Sequence, residues 1–414
     1  MNCTSLARAI NILKRVFMTI DKKKFVHGER TAYILMRYLQ MKGSYSKYEM
    51  AKIIQIGLLH DIGAYKMEQK VKDVDIDNSL NRHEIFGYIY IRYFPIYDND
   101  LAEICLYHHL EIEKLAKVNT KYSDILKVFS YLNLLEENWE IDQQLSYEEI
   151  INILNIRDEH KDVFSELNGK YNIYAELISG QYERELYNYL EQIEITFEEI
   201  SQFVRMIILF ISFRSLGTLS HSKSVQCVTG EIYKLLDIKE ERLEEILLAA
   251  YYHDIGKMFT PLEILNKPAS LTDDEMAVMK EHVSDSGRIL REFDLEYIAR
   301  IAELHHEKLD GSGYPYGLKG DEIPMEARVV GIADIFSALV EKRVYKDKFC
   351  KEQVVSILSE LSKNNKIDSA IVNVVIENYD YLVQQIEENA EELKMGVVKF
   401  VSTYENLERM LQSI

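Results

Sequence analysis

The sequence predicts an all-α protein built from two tandem helical bundle domains. Three observations lead there. A chain of 414 residues exceeds the ~250 to 300 that one hydrophobic core usually serves. Five prolines and 17 glycines leave long stretches rich in Leu, Ile, Glu, Lys and Tyr with little to interrupt a helix. A set of polar residues also recurs in the same order in both halves, which marks an internal duplication.

The composition, 47% hydrophobic and 28% charged, is that of a packed globular chain and not of a disordered one. Cys3, Cys105, Cys227 and Cys350 are scattered singly, without a CxxC pair or a disulfide framework, and read as reduced core residues. Arg8, Lys14 and Arg15 interrupt the N-terminal segment, and Arg205 and Arg214 flank the apolar run Met206 to Phe213. Neither segment approaches the ~20 apolar residues of a membrane span, so a cytoplasmic location is expected. The net charge of −19 repels polyanions and argues against a nucleic acid polymer as partner. A phosphate ligand has to be attracted locally, and a bound metal cluster is one of few devices able to reverse the local sign.

The duplication is read from LLHDIG, ending at Gly63, and YYHDIG, ending at Gly256. His27, His60, Asp61, His83, His108 and His109 recur as His221, His253, Asp254, His282, His305 and His306, at offsets between 193 and 199. Similar amphipathic openings follow each set, SYEEIINIL from Ser146 and KEQVVSIL from Lys351. The expected boundary lies near residue 195, giving domains 1–195 and 196–414, the second including a C-terminal helix. No Pro/Ser linker interrupts Ile193 to Leu219, so the halves are expected to pack closely or to share a connecting helix. The amphipathic stretch Leu393 to Leu411 offers a surface for a homodimer.

In the second half, the apolar run Ile246 to Tyr252 predicts a helix that ends at His253 and Asp254, with Gly256 as a stop. Thr272 and Glu275 form a Thr-x-x-Glu capping box that starts a helix carrying His282. Leu295 to His306 predicts a further helix delivering His305 and His306 before Gly311, Gly313 and Pro315 break it. Pro324 precedes a helix in which Asp334 stands among Val329, Val330, Ile332 and Ala333, and a carboxylate there needs a partner.

Taken alone, each histidine reads as a satisfied core or surface residue; the joint pattern changes that. His221, His253, Asp254, His282, His305, His306 and Asp334 come from separate helices or helix ends and offer nitrogen and oxygen donors without thiolate. Such donors suit Mn²⁺, Fe²⁺ or Zn²⁺ better than Mg²⁺. Seven ligands exceed the needs of one ion, so two divalent ions are expected, Fe or Mn foremost, with Asp254 bridging. A metal pair of this kind activates water and clamps phosphoryl oxygens, the chemistry of phosphoester hydrolysis. Lys257 reads either as an ordinary helix-end cation or as a group neutralising charge that develops on phosphate.

HDIGK (His253 to Lys257), KP (Lys267, Pro268), HHEKLDGSGYP (His305 to Pro315) and GIADIFSAL (Gly331 to Leu339) resemble the HD-GYP family of HD-domain phosphohydrolases. The resemblance is tight over about residues 217 to 350, and the tandem arrangement extends it over nearly the whole chain. It implies an all-helical bacterial enzyme that hydrolyses cyclic di-GMP to pGpG or GMP at a two- or three-metal centre. It also implies the seven residues above as metal ligands, with Lys257 on the scissile phosphate. Gly313, Tyr314 and Pro315 are implied at the nucleotide; from composition alone they only end a helix. Arg343 and Lys346, in Arg-Val-Tyr-Lys where the family has Arg-Pro-Tyr-Lys, are implied to hold phosphate or guanine. Three-metal members carry a Glu where this chain has Gly217, so a two-metal centre is expected.

In the first half the lysine of HDIGK is Ala64, the GSGYP insertion is absent, and Ser130 and Tyr131 stand where an Asp334 counterpart would fall. Hydrolysis is not expected there, while a residual metal site stays open. The degenerate domain reads as a regulator, a ligand sensor, a dimerisation module or a scaffold. For the whole chain the expected function is a cyclic di-GMP phosphodiesterase in second-messenger signalling. The alternatives are a hydrolase of another cyclic dinucleotide or nucleotide, or a non-catalytic cyclic-dinucleotide receptor or interaction protein.

Overall fold

The structure, a computed structural model, describes residues 4–65, 82–129, 158–214, 218–341 and 349–414. These residues are helical almost throughout, as expected. Besides turns and loops, the exceptions among the described residues are a short antiparallel pairing of Thr4–Ser5 with Glu194–Ile195 and an isolated bridge between Asp310 and Lys319. Two compact units result, one of Cys3–Gln202 with Lys399–Ile414, the other of Phe203–Val398. The sequence reading gave the whole C-terminal helix to the second domain. Instead, the helix Tyr379–Ser413 contributes its last turns to the first unit. The reason is packing: Tyr404 is fully buried, its ring lies 5.3 Å from Phe86, and its hydroxyl accepts the Arg82 backbone N–H at 2.8 Å. Leu411 is buried too, so part of the face proposed for a dimer is used within the chain.

Each unit repeats one order of elements. In the first, helices Lys22–Lys42 and Lys47–Leu59 lead to a 3₁₀ turn Ile62–Tyr65 and then to helices His83–Arg92 and Asn99–Tyr107. In the second, helices Thr218–Leu235 and Leu243–Tyr252 lead to the 3₁₀ turn Ile255–Phe259, then to helices Asp273–Glu292 and Glu296–Glu303. The capping boxes are real: Thr272 and Glu275 exchange side-chain-to-backbone hydrogen bonds, and Ser46 and Glu49 do the same in the first unit. The helix expected over Leu295 to His306 is shorter, because its last residue is Glu303 and the histidine pair sits in the turn beyond. Helix Met325–Val340 follows Pro324 as expected and buries ten residues, Asp334 among them. Each fully buried Val, Ile or Phe along it stabilises the unit by about 1.5–3 kcal/mol. That packing fixes where Asp334 stands.

The HD turn is held against the following helix by close backbone approach. A Cβ added to Gly256 would lie 2.0 Å from the His282 carbonyl oxygen and 2.6 Å from the Ser286 nitrogen. Gly63 meets the His83 carbonyl oxygen in the same way, at 2.1 Å. Ser286 completes the joint: its Oγ donates to the His253 carbonyl at 2.7 Å and accepts the Gly256 N–H at 2.9 Å. Glycine is therefore required by contact rather than by backbone angle. Gly256→Ala is expected to destabilise the chain by about 2–3 kcal/mol, since the clash is with backbone and cannot relax through a rotamer. Denaturant unfolding of the two proteins measures it.

Candidate metal centre

Five segments of the second unit deliver the predicted side chains to one buried place. His221 comes from the first helix of the unit, His253 and Asp254 from the end of the second, and His282 from the middle of Asp273–Glu292. His305 and His306 come from the turn after Glu303, and Asp334 from Met325–Val340. Ligand atoms of His221, His253 and Asp254 lie within 4.8 Å of one another, as do those of His282, His305 and His306. Asp254 stands between the groups: Oδ2 is 3.2 Å from His253 Nε2 and Oδ1 is 3.2 Å from His282 Nε2. Asp334 Oδ1 is 2.9 Å from His221 Nε2 and 3.9 Å from His253 Nε2, and its Oδ2 is 4.0 Å from His306 Nδ1. All seven predicted residues are thus brought together.

The helical backbone also sets the imidazole tautomers. His253, His282 and His305 place Nδ1 2.6–2.7 Å from the carbonyl three residues earlier, of Ala250, Met279 and Ala302. A carbonyl only accepts, so Nδ1 carries the proton and Nε2 is the ring atom turned into the centre. These three Nε2 atoms and Asp254 Oδ1 are buried without a hydrogen-bond partner. Each such atom costs about 1–3 kcal/mol if nothing satisfies it. A cation satisfies all of them at once, and the donor set of imidazole and carboxylate fits a first-row divalent ion.

Titration follows the same arrangement. Burial alone would raise Asp254, but His253 and Lys257 hold it well below the usual carboxylate range. Burial acts likewise on Asp334 and is outweighed by its hydrogen bond with His221. Burial keeps His305 well below the ordinary imidazole value and pushes His306 down to about 3. His221 differs: burial lowers it, yet hydrogen bonds with Asp334 and Glu341 raise it to about 9. Metal entering between His221 and Asp334 competes with that proton.

Lys257 Nζ lies 2.5 Å from Asp254 Oδ2, at the edge of the cluster. Tyr314 packs against His306 with ring centroids 4.9 Å apart, and Lys280 Nζ stands 5.1 Å from the Tyr314 centroid. Gly313 and Pro315 flank this ring, and Gly313 runs so close to the chain that a Cβ would lie 2.3 Å from the Lys308 nitrogen. Lys267 of the KP pair bonds Glu275, the capping-box residue, and so fastens the loop to the helix start. Arg343, Lys346 and Gly217 lie outside the described residues, as do Ser130, Tyr131 and the Ser146 to Leu154 opening.

Two carboxylates were missed by the sequence reading. Glu341 holds His221 from behind, with Oε2 3.1 Å from its Nδ1, while its Oε1 accepts from Ser224 Oγ. No pattern around EKRVYK marks it; the role appears only when the helix end folds onto the helix carrying His221. Glu307 stood inside HHEKLDGSGYP without an assigned role. It is buried and accepts three backbone N–H groups, of Tyr316, Gly317 and Leu318, at 2.7–3.1 Å. The loop that carries Tyr314 is fastened by this one side chain.

A family model described as an HD domain matches residues 25–154, and a second, also described as an HD domain, matches residues 205–371. The chain belongs to the HD-domain family. Its two HD domains coincide with the two sets of clustered histidines, and the HDIGK and GYP motifs of the second place it in the HD-GYP group. A 3′3′-cGAMP-specific phosphodiesterase 1 of Vibrio cholerae is 26% identical over 409 residues, covering 90% of this chain and 92% of that protein. The cyclic di-GMP phosphodiesterase response regulator RpfG of Xanthomonas campestris and a cyclic di-GMP phosphodiesterase of Thermotoga maritima are each 40% identical. Each match covers 36% of this chain, which spans only 40% and 42% of those two proteins. A crystal structure of a cyclic GMP-AMP specific phosphodiesterase of V. cholerae has the same fold, with a TM-score of 0.52 at 17% identity over 92% of this chain and 98% of that one.

Two substitutions test the supporting carboxylates. Glu341→Gln is expected to weaken metal binding by about 10- to 100-fold by loosening His221, measured by competition with a chelating dye. Glu307→Ala strands three backbone N–H groups and is expected to expose the Tyr314 loop to limited proteolysis while leaving the metal content of the chain unchanged.

Proposed function

We propose that the second HD domain is a metal-dependent phosphodiesterase acting on a cyclic dinucleotide, with cyclic di-GMP as substrate and pGpG or GMP as product. The observation that carries this reading is the convergence of five imidazoles and two carboxylates, three of the imidazole nitrogens being buried and otherwise unsatisfied. His221, His253, Asp254, His282, His305, His306 and Asp334 would hold two divalent ions, Fe²⁺ or Mn²⁺, with Asp254 shared. When bound, the ions supply the positive charge that activates water and clamps phosphoryl oxygens.

The chain's own residues do the rest. The Nδ1–H bonds of His253, His282 and His305 lock each ring, so the donors need no reorganisation on binding. Lys257, anchored by Asp254, brings a cation to where negative charge grows on the phosphoryl oxygens as the bond from phosphorus to the 3′ oxygen breaks. Tyr314, held on His306 by the loop that Glu307 fastens, offers an aromatic face on which a guanine base stacks. Gly313 and Pro315 shape that turn, and Arg343 and Lys346 are assigned to phosphate or base on the motif alone. The net charge of −19 makes such local cations necessary for binding a dianionic substrate.

A second reading, 3′3′-cGAMP as substrate, is favoured by the relative that matches almost the whole chain and is named for that nucleotide. The two share one chemistry and differ in one base. Purified protein loaded anaerobically with Mn²⁺ or Fe²⁺ is given each nucleotide separately, and products are resolved by chromatography. Asp254→Asn is expected to abolish hydrolysis of both. Lys257→Met is expected to lower kcat by about 10²- to 10³-fold with metal content retained. Absence of product from either nucleotide with any metal would leave a receptor role in its place.

A further inference from the structure

Helix Asp273–Glu292 carries three long cationic side chains, Lys280, Arg288 and Arg291, and two of them are tied down. Arg288 bonds Asp285, and Arg291 pairs with Glu303 and Glu296. Lys280 pairs with no carboxylate among the described residues, in a chain where 68 acidic residues face 49 basic ones. The helix itself offers it none, because Met276, Ala277, Val283 and Ser284, its neighbours three and four positions away, carry no acid. Its exposed side chain instead sets Nζ over the ring of Tyr314, 5.1 Å from the centroid. An aromatic face holds an exposed ammonium only weakly. The cation is therefore available to a ligand.

The ring beneath it is fixed. Tyr314 packs on His306 with centroids 4.9 Å apart and planes at 36°, and its backbone N–H donates to the His306 carbonyl at 3.4 Å. Glu307 fastens the loop beyond it. A base stacked on such a ring takes a centroid separation of ~4.5–7 Å. The Lys280 ammonium already stands in that shell, so a stacked base meets it at an edge. Purine edges differ in what they offer a cation: guanine presents two neighbouring acceptors, O6 and N7, whereas adenine puts an amino donor, N6, in place of O6. Lysine has donors only and is repelled by that amino group. Its flexible four-carbon stem lets it leave the ring face as the base arrives.

On the hydrolytic reading, in which Tyr314 stacks a base of the substrate, we infer that Lys280 is a specificity-determining residue that reads O6 and N7 of a guanine on that ring. Tyr314 and Lys280 together form a guanine subsite beside the histidine cluster, and the scissile phosphate is left to Lys257. Cyclic di-GMP and 3′3′-cGAMP each carry a guanine, so both fit. Cyclic di-AMP carries none and is discriminated against. The subsite narrows the substrate class to cyclic dinucleotides with at least one guanine.

The metal-loaded full chain and its Lys280→Met and Lys280→Arg variants are given cyclic di-GMP, 3′3′-cGAMP and cyclic di-AMP separately, and kcat and KM are measured for each. Kd is measured for the same set in a Lys257→Met background, which slows turnover. The chain with Lys280 is expected to favour both guanine nucleotides over cyclic di-AMP by about 10-fold or more. Lys280→Met is expected to erase that preference through KM and Kd rather than kcat, with metal content and helical circular dichroism unchanged. Lys280→Arg presents a fork that fits the same two acceptors and is expected to retain it. Equal losses on all three nucleotides in Lys280→Met would make Lys280 a phosphate contact and overturn the subsite, as would no loss on any. Equal binding of cyclic di-AMP and cyclic di-GMP by the chain with Lys280, or binding of none of the three, overturns it too. Guanine-selective binding that Lys280→Met abolishes, without product from any nucleotide, supports the subsite and sinks the hydrolytic reading alone.

Discussion

A carboxylate at the end of a helix, among imidazoles, is the constraint around which each unit is organised, partly buried in the first and buried in the second. Asp254 is 3% exposed, and an isolated ionised carboxylate at that depth is far too costly to persist. It persists because His253, His282 and Lys257 surround it, and each of these is placed by a different piece of backbone. The HD turn must therefore touch the helix carrying His282 closely, which Gly256 permits and Ser286 secures. The local geometry and the electrostatics are one requirement met by three neighbouring residues.

Much of this was legible in the sequence because the signals are local. The HD pair at a helix end, the Thr272 capping box, the helix after Pro324 and the lone Asp334 all rest on patterns a few residues long, and each formed as read. The duplication was legible for another reason: histidine is scarce enough that ten of the chain's 11 falling in a repeated order stand out. The long-range pairings left no local trace. Glu341 reaches His221 across 120 positions, Tyr404 reaches Arg82 across 322, and Thr4 pairs with Ile195, so nothing in their own neighbourhoods announces them. The helix before His305 was read too long for a related reason, since apolar spacing continues through Leu304 although the helix itself stops at Glu303.

The divergence between the two units shows what the shared scaffold requires and what it does not. Both keep the glycine of the HD turn and the Nδ1–H bond to the carbonyl three residues back, because both orient rings around the aspartate of that turn. Only the second keeps Lys257, Asp334 and the Glu307-fastened loop that carries Tyr314. These are additions to a shared frame of imidazoles around an aspartate rather than parts of it. On the proposed reading, holding a cation would fall to the imidazoles around the aspartate, and acting on a phosphate to one lysine, one further carboxylate and one loop. In a chain of net charge −19 the order of dependence is fixed, since an anionic substrate approaches only where bound cations have first reversed the sign of the field.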